Sequence, residues 1–227
     1  MHDIAVVVVL LSACSAIGLP PCLLLPEKQF GARFVIAPPI GFGLSAIGGT
    51  VLYLWGVRPW ISMMAMAAAG FVLGAVFLLR TRPLRLAAPS KPTMAFGAGA
   101  VAVILIGLLP GWTGGPQFRV FQANVYDQMT YLGASVTFRA HDYASMTAEA
   151  KRAAPDPIVA GSSQFLNNRG AVSIVHAAAA AISQHDVIDS SYPFMVAMQV
   201  NMLFAALFVL INVFSAGYRL SFFWRPR

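Results

Sequence analysis

Asp127 is the acid in this chain whose setting could do chemistry. It lies about fifteen residues beyond an apolar stretch ending at Trp112, within Phe118-Arg-Val-Phe-Gln-Ala-Asn-Val-Tyr-Asp127-Gln-Met-Thr-Tyr131. A carboxylate on the polar face of a helix there can take a proton from an incoming hydroxyl or help hold a divalent cation. The spacing Asn124-x-x-Asp127 is equally that of an N-cap and its third-position acid, a purely structural role. Arg119, Arg139 and the pair His141-Asp142 make a second group. An arginine fork suits a phosphate, and an imidazole can carry a proton near neutral pH. The alternative is that both arginines are solvated or touch headgroups and that Asp142 caps the next helix. His176, in an alanine-rich run with no acid nearby in sequence, is read as structural. His185, Asp186 and Asp189 are read as solvated loop residues. The chain holds no Gly-rich phosphate loop, no Gly-x-Ser-x-Gly, no HExxH and no Cys/His spacing suited to zinc.

The elements that must position these groups are mostly apolar. Of 227 residues, 58% are hydrophobic and only 10% charged, a balance outside that of soluble domains. Five stretches are long enough to cross a bilayer, about 4–25, 34–57, 60–79, 94–112 and 193–218. They divide the chain into a four-span region over 1–112, an external loop over 113–192, and a fifth span with a basic tail over 193–227. The expected fold is therefore an all-helical integral membrane bundle of about five spans, with a loop of roughly 80 residues carrying short amphipathic helices. Six of the eight acids fall in that loop. Only Arg58-Pro59 joins the second and third spans, which predicts a tight hairpin. Trp55, Trp60, Trp112 and Trp224 sit at or near span ends, where amphipathic rings favour the headgroup region.

Basic residues set the orientation. The short connection holding Arg80, Arg82, Arg85 and Lys91 carries no acid and should be cytoplasmic. Alternation then puts the C-terminus inside, and the N-terminus and the long loop outside, in the periplasm of a bacterial inner membrane. The net charge of +7 arises mainly from membrane-flanking residues, and no clustered basic face suggests nucleic acid. Leu11-Ser-Ala-Cys14 looks like a lipoprotein signal, but Met1-His-Asp3 lacks a positive start and the chain stays apolar beyond Cys14. Cys14 and Cys22 are read as buried, reduced thiols.

Within the loop, 124–138 predicts an amphipathic helix. Asn124, Asp127, Gln128, Tyr131 and Ser135 would share its outer, polar face, and Val125, Met129, Leu132 and Val136 the face against the membrane or the bundle. A helix over about 143–153 would be capped by Asp142, and another would cover 171–183. The segment with Pro155-Asp-Pro157 and Gly161-Ser-Ser163 is read as irregular, and Ser190 or Ser191 as the cap of the last span, with Pro193 in its first turn. Pro20-Pro21 and Pro38-Pro39 should interrupt the first two spans, and Gly41, Gly43, Gly48, Gly49, Gly70 and Gly74 should permit close helix contact.

Arg119-x-Phe-Gln122-x-Asn124-x-x-Asp127-x-x-x-Tyr131-Leu132, His141-Asp142-Tyr143 and Ser191-Tyr-Pro193 together resemble the GT-C class of polytopic membrane glycosyltransferases, over about 112–210. The early Ala37-Pro-Pro-Ile-Gly41 is similar to the opening spans of such proteins. The resemblance implies transfer of a sugar from a polyprenyl-phosphate donor on the periplasmic side to an envelope glycan or lipid acceptor. Asp127 would be the catalytic base. Arg119 or Arg139 would hold the donor phosphate, and Asn124, Tyr131, His141 and Asp142 would complete the binding site. A divalent cation serves some members of the class and not others. The class usually places its acidic loop after the first span and has about eight to thirteen spans. This chain is therefore expected to be an N-terminal portion, completed by a further segment or a protein partner. The alternative is a non-catalytic membrane scaffold or assembly factor whose external loop docks a partner. A transport role is weaker, because the span cores carry Gln199, Asn201 and Asn212 but no charge.

Overall fold

Apolar surroundings leave a helix as the one way for a single segment to satisfy its own backbone, and every apolar stretch in the described chain is helical. The computed structural model describes residues 2–24, 30–81, 91–114 and 125–209. They form α1 (His2–Cys22), α2 (Phe30–Leu54), α3 (Pro59–Thr81), α4 (Lys91–Thr113), α5 (Val125–Ala140), α6 (Tyr143–Ala150), α7 (Pro157–Arg169), α8 (Ala171–Ile182) and α9 (Val187–Val209), with no strand among the described residues. Four helices are long and apolar enough to cross a membrane, over Asp3–Cys22, Val35–Leu54, Pro59–Arg80 and Val187–Val209. Helix α4 runs over 23 residues from Lys91 to Thr113, and Ala98–Thr113 is the apolar part of it whose side chains are described.

Glycines bring the first three helices into backbone contact. A Cβ on Gly18 would stand 1.9 Å from the Ala37 oxygen, and one on Gly41 would stand 1.7 Å from that of Cys14. On Gly70 it would meet the Ala16 oxygen at 2.3 Å, and on Gly74 the Leu19 side chain at 3.2 Å. The Gly70-x-x-x-Gly74 pair thus faces α1, as small-residue packing requires. Gly43 faces open space. Pro20-Pro21 and Pro38-Pro39 lie inside continuous helices. Proline has no N–H, so Pro20 frees the Ala16 carbonyl that Gly70 approaches.

The α2–α3 hairpin closes as its short link predicts. Gly56 takes φ +86°, the Val57 amide donates to Leu52 at 2.9 Å, and the Gly56 amide donates to Tyr53 at 2.9 Å, which is a Schellman closure. Pro59 opens α3, where its missing N–H costs nothing. Gln184 takes φ +58° at the end of α8, with the same pair of bonds from His185 and Gln184.

Helices α5 to α8 cap one end of the bundle. The end of α2, the start of α3, the start of α1 and the end of α4 all meet there. Trp112 Nε1 donates to Asp3 Oδ2 at 2.8 Å, joining the last two of these. Helix α8 is the centre of the assembly, buried from Ser173 to Ala180. Its Val175, Ala178 and Ala179 pack with Val7, Leu10, Met63, Leu108 and Tyr192. Ile174 and Ala177 pack with Tyr53 and Phe138, and Ala180 packs with Leu132 and Val187.

Three expectations are corrected. The segment read as irregular is α7, for which Asp156 accepts from the amides of Ile158 and Val159 and Pro157 starts the first turn. The last helix begins at Val187, ahead of Ser190. Asp186 Oδ1 accepts from the Ile188 amide at 2.8 Å, so this acid serves the helix start instead of lying idle in a loop. The faces of α5 are also turned. Ser135 is fully buried and Tyr131 half-buried, whereas Met129 is 54% and Val136 41% exposed. Simple alternation of polar and apolar faces fails because α5 is covered by α7, α8 and α9 on most of its circumference. That leaves Met129, Thr130, Val136 and Ala140 outward, with Gly133 partly exposed among them.

Candidate functional site

Three helices meet at His176. Helix α8 carries the imidazole, α5 brings Ser135 and α9 brings Ser190. Nδ1 lies 3.2 Å from Ser135 Oγ, Nε2 lies 3.1 Å from Ser190 Oγ, and the ring stacks on Phe194 with centroids 4.4 Å apart. A neutral imidazole has one N–H and one lone pair, so one serine must donate to it and the other accept. Ser135 Oγ donates to the Tyr131 carbonyl at 2.8 Å, and Ser190 Oγ reaches the Val187 carbonyl at 3.1 Å. Each hydroxyl thus has a backbone carbonyl as well as a ring nitrogen within reach, and the imidazole bridges Ser135 and Ser190 whichever nitrogen carries its proton.

A serine hydroxyl within hydrogen-bond reach of an imidazole is nucleophile–base geometry. Here its setting favours structure over chemistry. Ser135 and Ser190 are fully buried and His176 is 5% exposed. Burial pulls the His176 pKa from 6.5 down to about 4, against a smaller opposing effect of the Ser190 backbone. General-base work favours a value near the operating pH. The cluster instead ties cap to bundle, with neighbouring ties from Ser173 Oγ to the Tyr131 carbonyl at 3.0 Å and from Ser162 Oγ to Thr137 Oγ1 at 3.0 Å.

The residues singled out in the sequence take separate places. Asp127 falls in the first turn of α5, and its side chain lies outside the described part of the structure, as do Arg119 and Asn124 altogether. The Tyr131 ring meets Phe165 edge-on with centroids 4.9 Å apart. Arg139 Nη1 donates to the His185 carbonyl. The His141 carbonyl accepts from the Tyr53 hydroxyl at 3.0 Å. Asp142 Oδ1 accepts from the Ser145 amide at 2.7 Å and caps α6; that amide holds the carboxyl below its ordinary range. Among the described residues, no hydrogen bond or ion pair joins the side chains of Tyr131, Arg139, His141 and Asp142 to one another.

Nor do three acids, histidines or cysteines gather as a metal-binding group among the described residues. A shallow crevice between α2, α3 and α8, lined by Ser45, Gly49, Ser62, Met66, Ile174 and Ala178, has no room for a water molecule. It therefore falls far short of a ligand pocket, which encloses roughly 300–1,000 Å³. Its serines are engaged, Ser45 with the Gly41 carbonyl at 2.6 Å and Ser62 with that of Pro59 at 2.7 Å. Compared with protein-family models, curated proteins and solved structures, the chain has no match.

Ser135 and Ser190 escaped sequence reasoning because each was assigned to a helix surface or cap. A usable signal was α8 itself. Its run of alanines gives no polar face for water, so the helix must be covered on all sides, and its single histidine then needs hydroxyl partners from its neighbours.

Proposed function

We propose that this chain is a non-catalytic membrane scaffold whose helical cap docks a partner protein. The observation that carries this reading is an apolar patch on the outer surface of the cap. Ser135, Thr137, Ser162, Ser173 and Arg139 are committed to internal bonds, while Met129, Val136 and Ile158 (57% exposed) face outward around Gly133. A Cβ on Gly133 would sit 3.4 Å from Ile158, so the two helices present one apolar surface. Such a surface on a protein exterior fits the apolar face of a partner helix. The exposed apolar belt on α3, including Phe71, Val72, Leu73 and Phe77, supports a multi-pass chain in lipid. On this reading, supported by the basic connection between α3 and α4, the cap and the N-terminus face the periplasm of a bacterial inner membrane and the C-terminus faces the cytoplasm.

The test is co-purification from detergent-solubilised membranes. Val136→Glu should lose a partner that wild type and Asp127→Asn both retain. Retention by Val136→Glu with loss in Asp127→Asn would reverse the reading.

A glycosyltransferase of GT-C type is the second reading. It is favoured by the place of Asp127 in the first turn of α5, where the cap begins. Asp127 would then act as general base on an acceptor hydroxyl, with a polyprenyl-phosphate sugar as donor. Transfer from radiolabelled polyprenyl-phosphate sugars, present in wild-type membranes and abolished in Asp127→Asn at equal protein level, would establish it. Equal transfer in both would remove Asp127 from that role.

A further inference from the structure

One face of α9 carries a polar group where lipid is expected. The exposed residues of this helix are Ile188, Met195, Gln199, Met202, Ala206 and Val209, together with Asp189 in the first turn. From Met195 onward they recur at alternating spacings of four and three, the seam of a left-handed helix pair. Ile188, Met195, Met202 and Val209 are 48%, 46%, 70% and 51% exposed. Gln199 stands near the middle of the span Val187–Val209, and its carboxamide has no hydrogen-bond partner among the described residues. Hydrocarbon offers it none. Asn201, two residues on, faces the interior, where its Nδ2 donates to the Ala197 carbonyl at 3.2 Å.

We propose that this face of α9 pairs with the same face of a second copy of the chain, with the two Gln199 carboxamides bonded across a two-fold axis. Two copies in one membrane share an orientation, so their axis runs along the membrane normal and each residue meets its counterpart at equal depth. A carboxamide carries both a donor and an acceptor and is therefore complementary to itself. A different partner would need a polar group of its own at that depth, whereas a second copy supplies one by symmetry. The flanking Met195 and Met202 fill irregular gaps, and Ala206 allows close approach.

The inference rests on the membrane reading above, so the full chain is first tested by alkaline extraction of membranes. Release into the supernatant overturns that reading, and retention in the pellet keeps it. In retained protein, Met202→Cys should form an oxidant-induced, disulfide-linked dimer, while Leu73→Cys on the exposed face of α3 should not. The native Cys14 and Cys22 are buried, so wild type sets the baseline. Energy transfer between labelled copies in phosphatidylcholine vesicles should show Gln199→Leu weakening self-association by about fivefold to thirtyfold. Gln199→Asn should retain much of it. Equal cross-linking at positions 202 and 73, self-association unchanged in Gln199→Leu, or cross-links from position 202 solely to another protein would each overturn the pairing.

Discussion

The Tyr53 hydroxyl donates to the backbone carbonyl of His141 at 3.0 Å, across 88 residues of chain. This bond fastens the last turn of α2 to the link between α5 and α6. The Tyr53 ring lies between Phe138 and Tyr143, with centroids 5.2 and 6.3 Å away, and is itself fully buried. An aromatic body and one polar tip thus make a single plug between bundle and cap.

Tyr53→Phe keeps the plug and loses the bond, so it should cost about 1 kcal/mol. Tyr53→Ala empties the site as well and should cost about 3–5 kcal/mol, the range for buried aromatic truncation. Thermal melts in detergent, followed by circular dichroism, check both. Equal losses would mean that the ring contributes nothing beyond its hydroxyl.

Acid should loosen the cap through His176. Its folded pKa of about 4 lies below its ordinary 6.5, so between these values the unfolded chain binds the extra proton. The stabilisation is fully present above pH 6.5 and is lost as the pH falls through about 4. The difference amounts to about 3 kcal/mol by linkage. Melting temperature measured from pH 7.5 to 4 should fall in the wild type and flatten over that window in His176→Asn. A similar slope in both proteins would remove His176 as the cause.

Asp142→Ala should lower the melting temperature by freeing the Ser145 amide, and Asp142→Asn should restore most of it at neutral pH, since asparagine caps well. The carboxyl is held below its ordinary range, so its contribution is present above the unfolded value and disappears as the pH drops through the folded one. The difference between wild type and Asp142→Asn should therefore close in acid. An Asp142→Ala protein as stable as wild type would leave the capping role without effect.

Gly41→Ala and Gly43→Ala should move stability in opposite directions. At position 41 the new methyl meets the Cys14 carbonyl, and neither backbone can yield, so the cost should be about 3 kcal/mol or more. At position 43 nothing lies within 4 Å, and the ordinary helical gain of about 0.5–1 kcal/mol should appear. Unfolding equilibria in mixed micelles separate the two; destabilisation by both would mean that α1 and α2 are not held at this distance in the membrane.

Much of this architecture was written in local signals. The α2–α3 hairpin followed from Arg58-Pro59, the cap on α6 from Asp142, and α8 from its alanine run. All three depend on residues within a few positions of one another. What escaped depended on neighbours distant in sequence. The face of α5 was misread because Ser135 is drawn inward by His176, 41 residues later. Helix α7 was missed because Pro155 and Pro157 were weighed as breakers, although a proline just after Asp156 starts a helix as readily as it ends one. The catalytic expectation at Asp127 depended on groups coming together from Arg119 to Asp142. Those among them that are described are held by different partners.

The central position of α8 has a consequence for how the chain is made. Synthesis runs from the N-terminus, so α1, α2 and α3 emerge and can pair through their glycines long before residues 171–182 exist. The seat for α8 beside Gly49, Met63 and Leu10 must therefore stay open while the 89 residues between Thr81 and Ala171 are added. The bundle can close only when this helix arrives, eighth of the nine. Maturation is thus gated by a late piece, and a ribosome that stops short of it leaves a nascent chain with an unfilled socket for quality control to find.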